Sequence, residues 1–158
     1  MLKSVRTTGA RSSDGCFAIV ASRYNAKYVD AMLRAAKSEL KRAGVKSIKV
    51  VRVPGAFEIP AVAARLSALD SQPSAILCLG VIFQGQTSHA QHIGWGVTHA
   101  LAQIQVQHKL PVIHGVFVFE KEEHAKVRCL GRKHNRGREA AQTALAMEIG
   151  RASCRERV

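Results

Sequence analysis

The chain predicts a three-layer α/β/α domain, with helices on both faces of a four-stranded, mostly parallel sheet. Short, continuously apolar runs alternate with longer segments whose apolar residues recur at helical spacing. The runs lack the in-and-out alternation of a half-exposed sheet, so they suit strands buried on both faces. A β-α order repeated along the whole chain calls for crossover connections, which make a parallel sheet.

The first strand is "FAIVA", residues 17–21. A helix follows, with Val29, Met32, Leu33, Ala36, Leu40 and Ala43 on one face and Gly44 as its stop. "IKVVRV" (48–53) is the second strand, closed by Pro54 and Gly55, and a helix from Glu58 to Leu69 comes next. "AILCL" (75–79) is the third strand. The stretch from Gly80 to Ser88 is read as a loop into a long helix ending near His108, with Val97, Leu101 and Ile104 inward. "VIHGVF" (112–117) is the fourth strand, and helical stretches at 121–130 and 136–149 complete the domain.

Residues 17–149 thus form one domain, which 158 residues can build around a sizeable core. Residues 1–16 are polar and basic, without the apolar segment of a secretory signal, and are expected to form a flexible arm. The tail at 150–158, "GRASCRERV", has no apolar stripe and is expected to be disordered or artefactual. No apolar run is long enough to span a membrane. The four cysteines, at 16, 78, 129 and 154, form no tight cluster, which points to a reducing, cytoplasmic setting without disulfides or structural zinc.

The formal net charge of +13 favours anionic or phosphorylated partners. Nucleic acid as the main partner is disfavoured: aromatic residues make up 5% of the chain and no base-stacking motif is present. Adventitious RNA binding is still expected of so basic a chain.

Ligands of a parallel sheet sit beyond the carboxyl ends of its strands. Those ends are "SRYN", "VPGAFE", "GQTSH" and "FVFE", which are expected to converge on one crevice. Tyr24 either packs on the next helix or offers a face to a planar heterocycle. Asn25 suits a helix cap. Glu58 suits the start of a helix, or accepts hydrogen bonds from a polyhydroxy ligand. Gly85 and Thr87, ahead of a helix N-terminus, offer an anion cradle. His89 and His92 lie one turn apart; an acid/base role for one of them is preferred to a metal site, since no carboxylate motif accompanies them. The run Arg128, Arg132, Lys133, Arg136 and Arg138 contains no acidic residue, and Asn135 is expected to cap the last helix.

Together "SRYN", "VPGAFEIP", "LGVIFQGQTSH", "PVIHGV", "EEHAKVR" and "NRGREAA" resemble, in order and spacing, the lumazine synthase family of riboflavin biosynthesis. The resemblance covers residues 17–149 and implies a flavodoxin-like fold assembled into pentamers, either alone or closed into a sixty-subunit shell. It implies a transferase that condenses 5-amino-6-(D-ribitylamino)uracil with 3,4-dihydroxy-2-butanone 4-phosphate, releasing phosphate and water, with no metal and no cofactor. Carried over, Tyr24 stacks on the pyrimidine; Asn25 with Gly55, Ala56, Phe57 and Glu58 holds the ribityl chain and ring edge. Backbone at Ile82 and Phe83 meets the heterocycle. Gly85, Gln86, Thr87 and Arg128 bind the phosphate, His89 moves protons, and the second-half residues His114, Arg128 and Arg136 come from a neighbouring subunit. Riboflavin synthase is an implied partner.

The chain departs from the family pattern at His114, where an aromatic is common, and at Gln84, Ala90, Gln91, Val118 and His124. Arg136 stands where lysine is usual. These departures keep a second reading open, a non-catalytic relative that binds lumazine or flavin or serves as a shell.

Overall fold

The computed structural model describes residues 15–155 of the chain. The expected arm at 1–16 therefore lies outside the described residues, apart from Gly15 and Cys16. Four strands pair in the order β2-β1-β3-β4, all parallel. They are β1 (Cys16–Ser22), β2 (Ser47–Val53), β3 (Ala75–Phe83) and β4 (Val112–Phe119). The principal helices are α1 (Ala26–Arg42), α2 (Ile59–Ser67), α3 (His89–His108) and α5 (Arg136–Arg155), and the short α4 (Glu122–Ala125) follows β4.

Alternate residues of the central strands feed two cores. Phe17, Ile19 and Ala21 of β1 face Val29, Met32, Ala36 and Leu40 of α1 and Ala141 and Ala144 of α5. Ala18 and Val20 face Ile59 and Ala63 of α2 and Val97 and Leu101 of α3. The sheet is covered on both sides, hence the unbroken apolar runs of β1 and β3. Helices α1 and α5 meet closely at Gly137, where a Cβ would lie 2.0 Å from the Met32 carbonyl oxygen.

Several element boundaries differ from expectation. β3 continues four residues past Leu79, because Gly80–Phe83 pair with Val116–Phe119 and extend the ladder. Gly80 is a strand residue packed on Ile59, and its glycine marks a close helix approach rather than a turn. The helix after Gly55 opens with a 3-10 turn (Ala56–Glu58) and stops at Ser67. The stretch at 121–130 divides into α4 and a π-helical turn (Lys126–Leu130). α5 runs on to Arg155, past the expected boundary at 149, because adding residues to an already nucleated helix costs little; the rest of the expected tail, residues 156–158, lies outside the described residues.

Candidate active site

The strand order reverses direction between β1 and β3, so the open crevice of the sheet lies between their carboxyl ends. A cavity of about 690 Å³ opens there, lined by Tyr24 and Asn25 after β1, Gly55–Glu58 after β2, Val81–Phe83 of β3, and His89, His92 and Ile93 of α3. Most of the sequence-predicted substrate residues thus meet in one chain, Tyr24, Asn25, Gly55, Ala56, Phe57, Glu58, Ile82 and Phe83, together with the predicted proton shuttle His89.

Traceable contacts hold Tyr24, Asn25, Gly55 and Glu58. The Arg23 amide donates to the Val53 carbonyl (2.8 Å) and the Tyr24 amide to the Pro54 carbonyl (3.0 Å), tying the β1 exit to the β2 exit. Asn25 adopts a left-handed conformation (φ 57°), and its side chain does not cap α1 as expected. Instead its amide group donates to the Val81 carbonyl at 2.7 Å. Tyr24 is 69% exposed, its ring laid over Gly55; a Cβ at residue 55 would come within 3.0 Å of the ring and 2.9 Å of Glu58 Oε2. Glu58 does act on the local turn: its Oε2 accepts from the Gly55 amide at 2.9 Å.

The loop from β3 to α3 is shaped by Gln84. Its amide nitrogen donates to the Thr87 carbonyl (2.6 Å) and to the Gly85 carbonyl (3.1 Å), while its backbone N–H reaches Phe119 (2.9 Å). Gly85 has no protein atom within 4 Å of where a Cβ would sit, so the bare backbone faces open space. Gln86 and Thr87 are exposed beside it. Ser88 lies 3.1 Å from His92 Nε2, a contact that steadies the second imidazole at the cavity wall. Val81 and Ile93 were missed as site residues, whereas His92 is weighed with His89 as an acid/base candidate; the i, i+4 spacing from His89 was the signal for Ile93.

His114, Arg128 and Arg136 do not line this cavity. His114 pairs with Cys78 in the ladder, well short of the β4 carboxyl end. Its ring meets Thr98 Oγ1 at 2.9 Å, and partial burial holds its pKa below the usual imidazole value. Arg128 projects exposed from the π-helical turn. Arg136, from the run without acidic residues, is balanced from the next turn of α5: Glu139 accepts from it at 2.6 Å, and its guanidinium lies 5.5 Å from the Phe117 ring centroid. Asn135 does cap α5, its Oδ1 accepting from Gly137 (2.9 Å) and Arg138 (3.3 Å).

A family model described as 6,7-dimethyl-8-ribityllumazine synthase matches residues 14–149. The chain belongs to this family. Among relatives of that name, the protein from Stenotrophomonas maltophilia strain R551-3 is 41% identical over 133 residues, 83% of this chain and 85% of the relative. The one from Xanthomonas campestris pv. campestris strain B100 is 39% identical over 145 residues, 90% of each chain. Among the described residues no helix is long and apolar enough to cross a membrane.

Proposed function

We propose that the chain condenses 5-amino-6-(D-ribitylamino)uracil with 3,4-dihydroxy-2-butanone 4-phosphate to give 6,7-dimethyl-8-ribityllumazine, phosphate and water. The observation that carries this reading is the cavity at the reversal point of the sheet, where an exposed aromatic ring, a carboxylate and an imidazole line one wall-to-wall space. Tyr24 supplies the face for the pyrimidine, and Asn25 with the Gly55–Glu58 turn holds the ribityl hydroxyls. The polar edge of the heterocycle meets backbone at Ile82 and Phe83.

The substrate amine attacks the ketone, one water leaves as the imine forms, phosphate is eliminated, and the second amine closes the ring on the remaining carbonyl with loss of a second water. Proximity does most of the work, because amine and ketone are already reactive toward one another. His89, at the start of α3, carries protons between the reacting atoms and solvent. Gly85, Gln86 and Thr87 receive the phosphate beside the α3 N-terminus, and Arg128 of an adjoining copy closes on it with a charge-assisted fork. His114 and Arg136 are contributed in the same way, which accounts for their absence from the cavity of a single chain.

The active unit is accordingly a ring of five copies, alone or within a sixty-subunit shell, acting in the cytoplasm. Riboflavin synthase, which would consume the product, is a candidate partner. RNA is held adventitiously through the +13 charge, in a salt-sensitive way. Mixing the purified chain with both substrates tests the activity: lumazine absorbance and fluorescence should appear with one phosphate per product. Tight product binding without turnover would instead support the non-catalytic reading, in which His114 and Gln91 have cost the chain its chemistry. Light scattering decides the assembly.

A further inference from the structure

We infer that Arg52 is a positioning residue for the pyrimidine half of the site, acting as a clamp on the segment that carries Tyr24 and Asn25. The inference rests on the proposed role of those two residues. Arg52 belongs to β2, paired with Ala21 of β1, and its guanidinium reaches in two directions. Nη2 donates to the carbonyl oxygen of Ser22, the last residue of β1, at 2.9 Å. Nη1 donates to Asp30 Oδ1 on α1 at 2.7 Å.

The two anchor points bracket residues 23–29. Arg23, Tyr24, Asn25 and Ala26 are all exposed, so the turn is held by directional contacts rather than by burial: the Arg23 and Tyr24 amides on Val53 and Pro54, and Asn25 on Val81. Asn25 within it sits in the left-handed region, a conformation that non-glycine residues adopt reluctantly. Arg52 adds to these contacts a link from the end of β1 to α1 through one planar group, which a lysine would not reproduce because its point charge makes no fork. With side chains 25% and 38% exposed, Arg52 and Asp30 lie between bulk water and the core, where such a pair is not fully screened. Arg52 Nε is buried without a partner, so the group accepts an unsatisfied donor to keep its two outer bonds.

Arg52→Gln and Asp30→Asn, each assembled as the full chain, test the clamp. In both, hydrogen exchange at the Arg23 and Tyr24 amides should accelerate by about tenfold. KM for the ribitylaminouracil should rise about three- to tenfold, while KM for the phosphorylated butanone and kcat stay within about twofold. The double variant should be no worse than the weaker single one, since both break the same link. Arg52→Lys should fall between wild type and Arg52→Gln. Unchanged exchange at residues 23 and 24, or equal losses toward both substrates, would overturn the proposal. Faster exchange in variants of a chain that forms no lumazine would sink the proposed activity and leave the clamp standing.

Discussion

The Asn25 side chain donates to the Val81 carbonyl at 2.7 Å, a bond that crosses the line where the sheet reverses its strand order. It closes the crevice on the β1 side against the β3 side, and both residues line the cavity. Because Asn25 also holds a left-handed backbone, two separable effects meet at one position. Asn25→Gly removes only the hydrogen bond and should cost about 1 kcal/mol. Asn25→Ala loses the same bond and adds roughly 1 kcal/mol of left-handed strain. Denaturant unfolding of the two variants measures the difference directly. Equal stabilities would show that the backbone at 25 relaxes.

Replacement of His89 tests the proton shuttle. His89→Ala should lower kcat by about 10² or more, with KM for both substrates little changed, because a general acid/base contributes to the barrier rather than to binding. Some turnover should persist, since holding two reactive partners together is itself effective. Steady-state rates of lumazine formation provide the measurement. His92→Ala, at the cavity wall one turn on, should have a smaller effect.

Phosphate affinity should depend on Arg128. Arg128→Ala should raise the inhibition constant of inorganic phosphate by about tenfold or more, and Arg128→Lys by less. Mixed rings sharpen the test. When Arg128→Ala chains assemble with His89→Ala chains, some sites draw both wild-type residues from adjacent copies, and activity should recover above that of either variant alone. Absence of recovery would place Arg128 in the same site as its own His89.

On the α1 side, Tyr28 donates to Glu122, which Lys27 and Lys126 also approach at 3.6 Å. The hydrogen bond to Glu122, followed by burial, raises the Tyr28 phenol from 10.0 to about 12. An unfolded tyrosine therefore ionises while the folded one stays neutral, so stability present below pH 10 should fall between pH 10 and about 12. The same bond, with Lys126, lowers the Glu122 carboxyl below its usual 4.5, so its contribution is lost as pH falls through the acid range. Melting temperatures of wild type and Tyr28→Phe at pH 9 and pH 11.5 check the alkaline arm. Tyr28→Phe should be the less stable at pH 9 and should lose less on the way up.

The α1–α5 contact should tolerate no side chain at Gly137. Gly137→Ala would drive a methyl against the Met32 carbonyl, at 2.0 Å before relaxation, and should cost about 3 kcal/mol or prevent folding. Gly85→Ala, by contrast, meets no protein atom within 4 Å and should leave stability unaltered while weakening phosphate inhibition. Thermal melts of the two variants make the comparison.

The layers, the strand count and most of the cavity residues were legible in the linear pattern, because they follow from local rules. A run such as Phe17 to Ala21 has one way to be buried, and ligand residues of a parallel sheet fall at strand exits. The motif likeness in "VPGAFEIP" and "GQTSH" then assigned a chemistry to those exits. What the linear pattern left open is set by partners far along the chain. β3 reaches Phe83 because β4 is there to pair with it. Asn25, a cap by residue type, is drawn to Val81 across 56 positions. Arg136, an unbalanced cation by its neighbours, is satisfied by Glu139 and the Phe117 face. Hydrogen bonds and ion pairs are short-ranged and directional, so a polar side chain's role depends on what folding brings within about 3 Å of it. Apolar burial is non-directional and leaves its mark in the spacing alone.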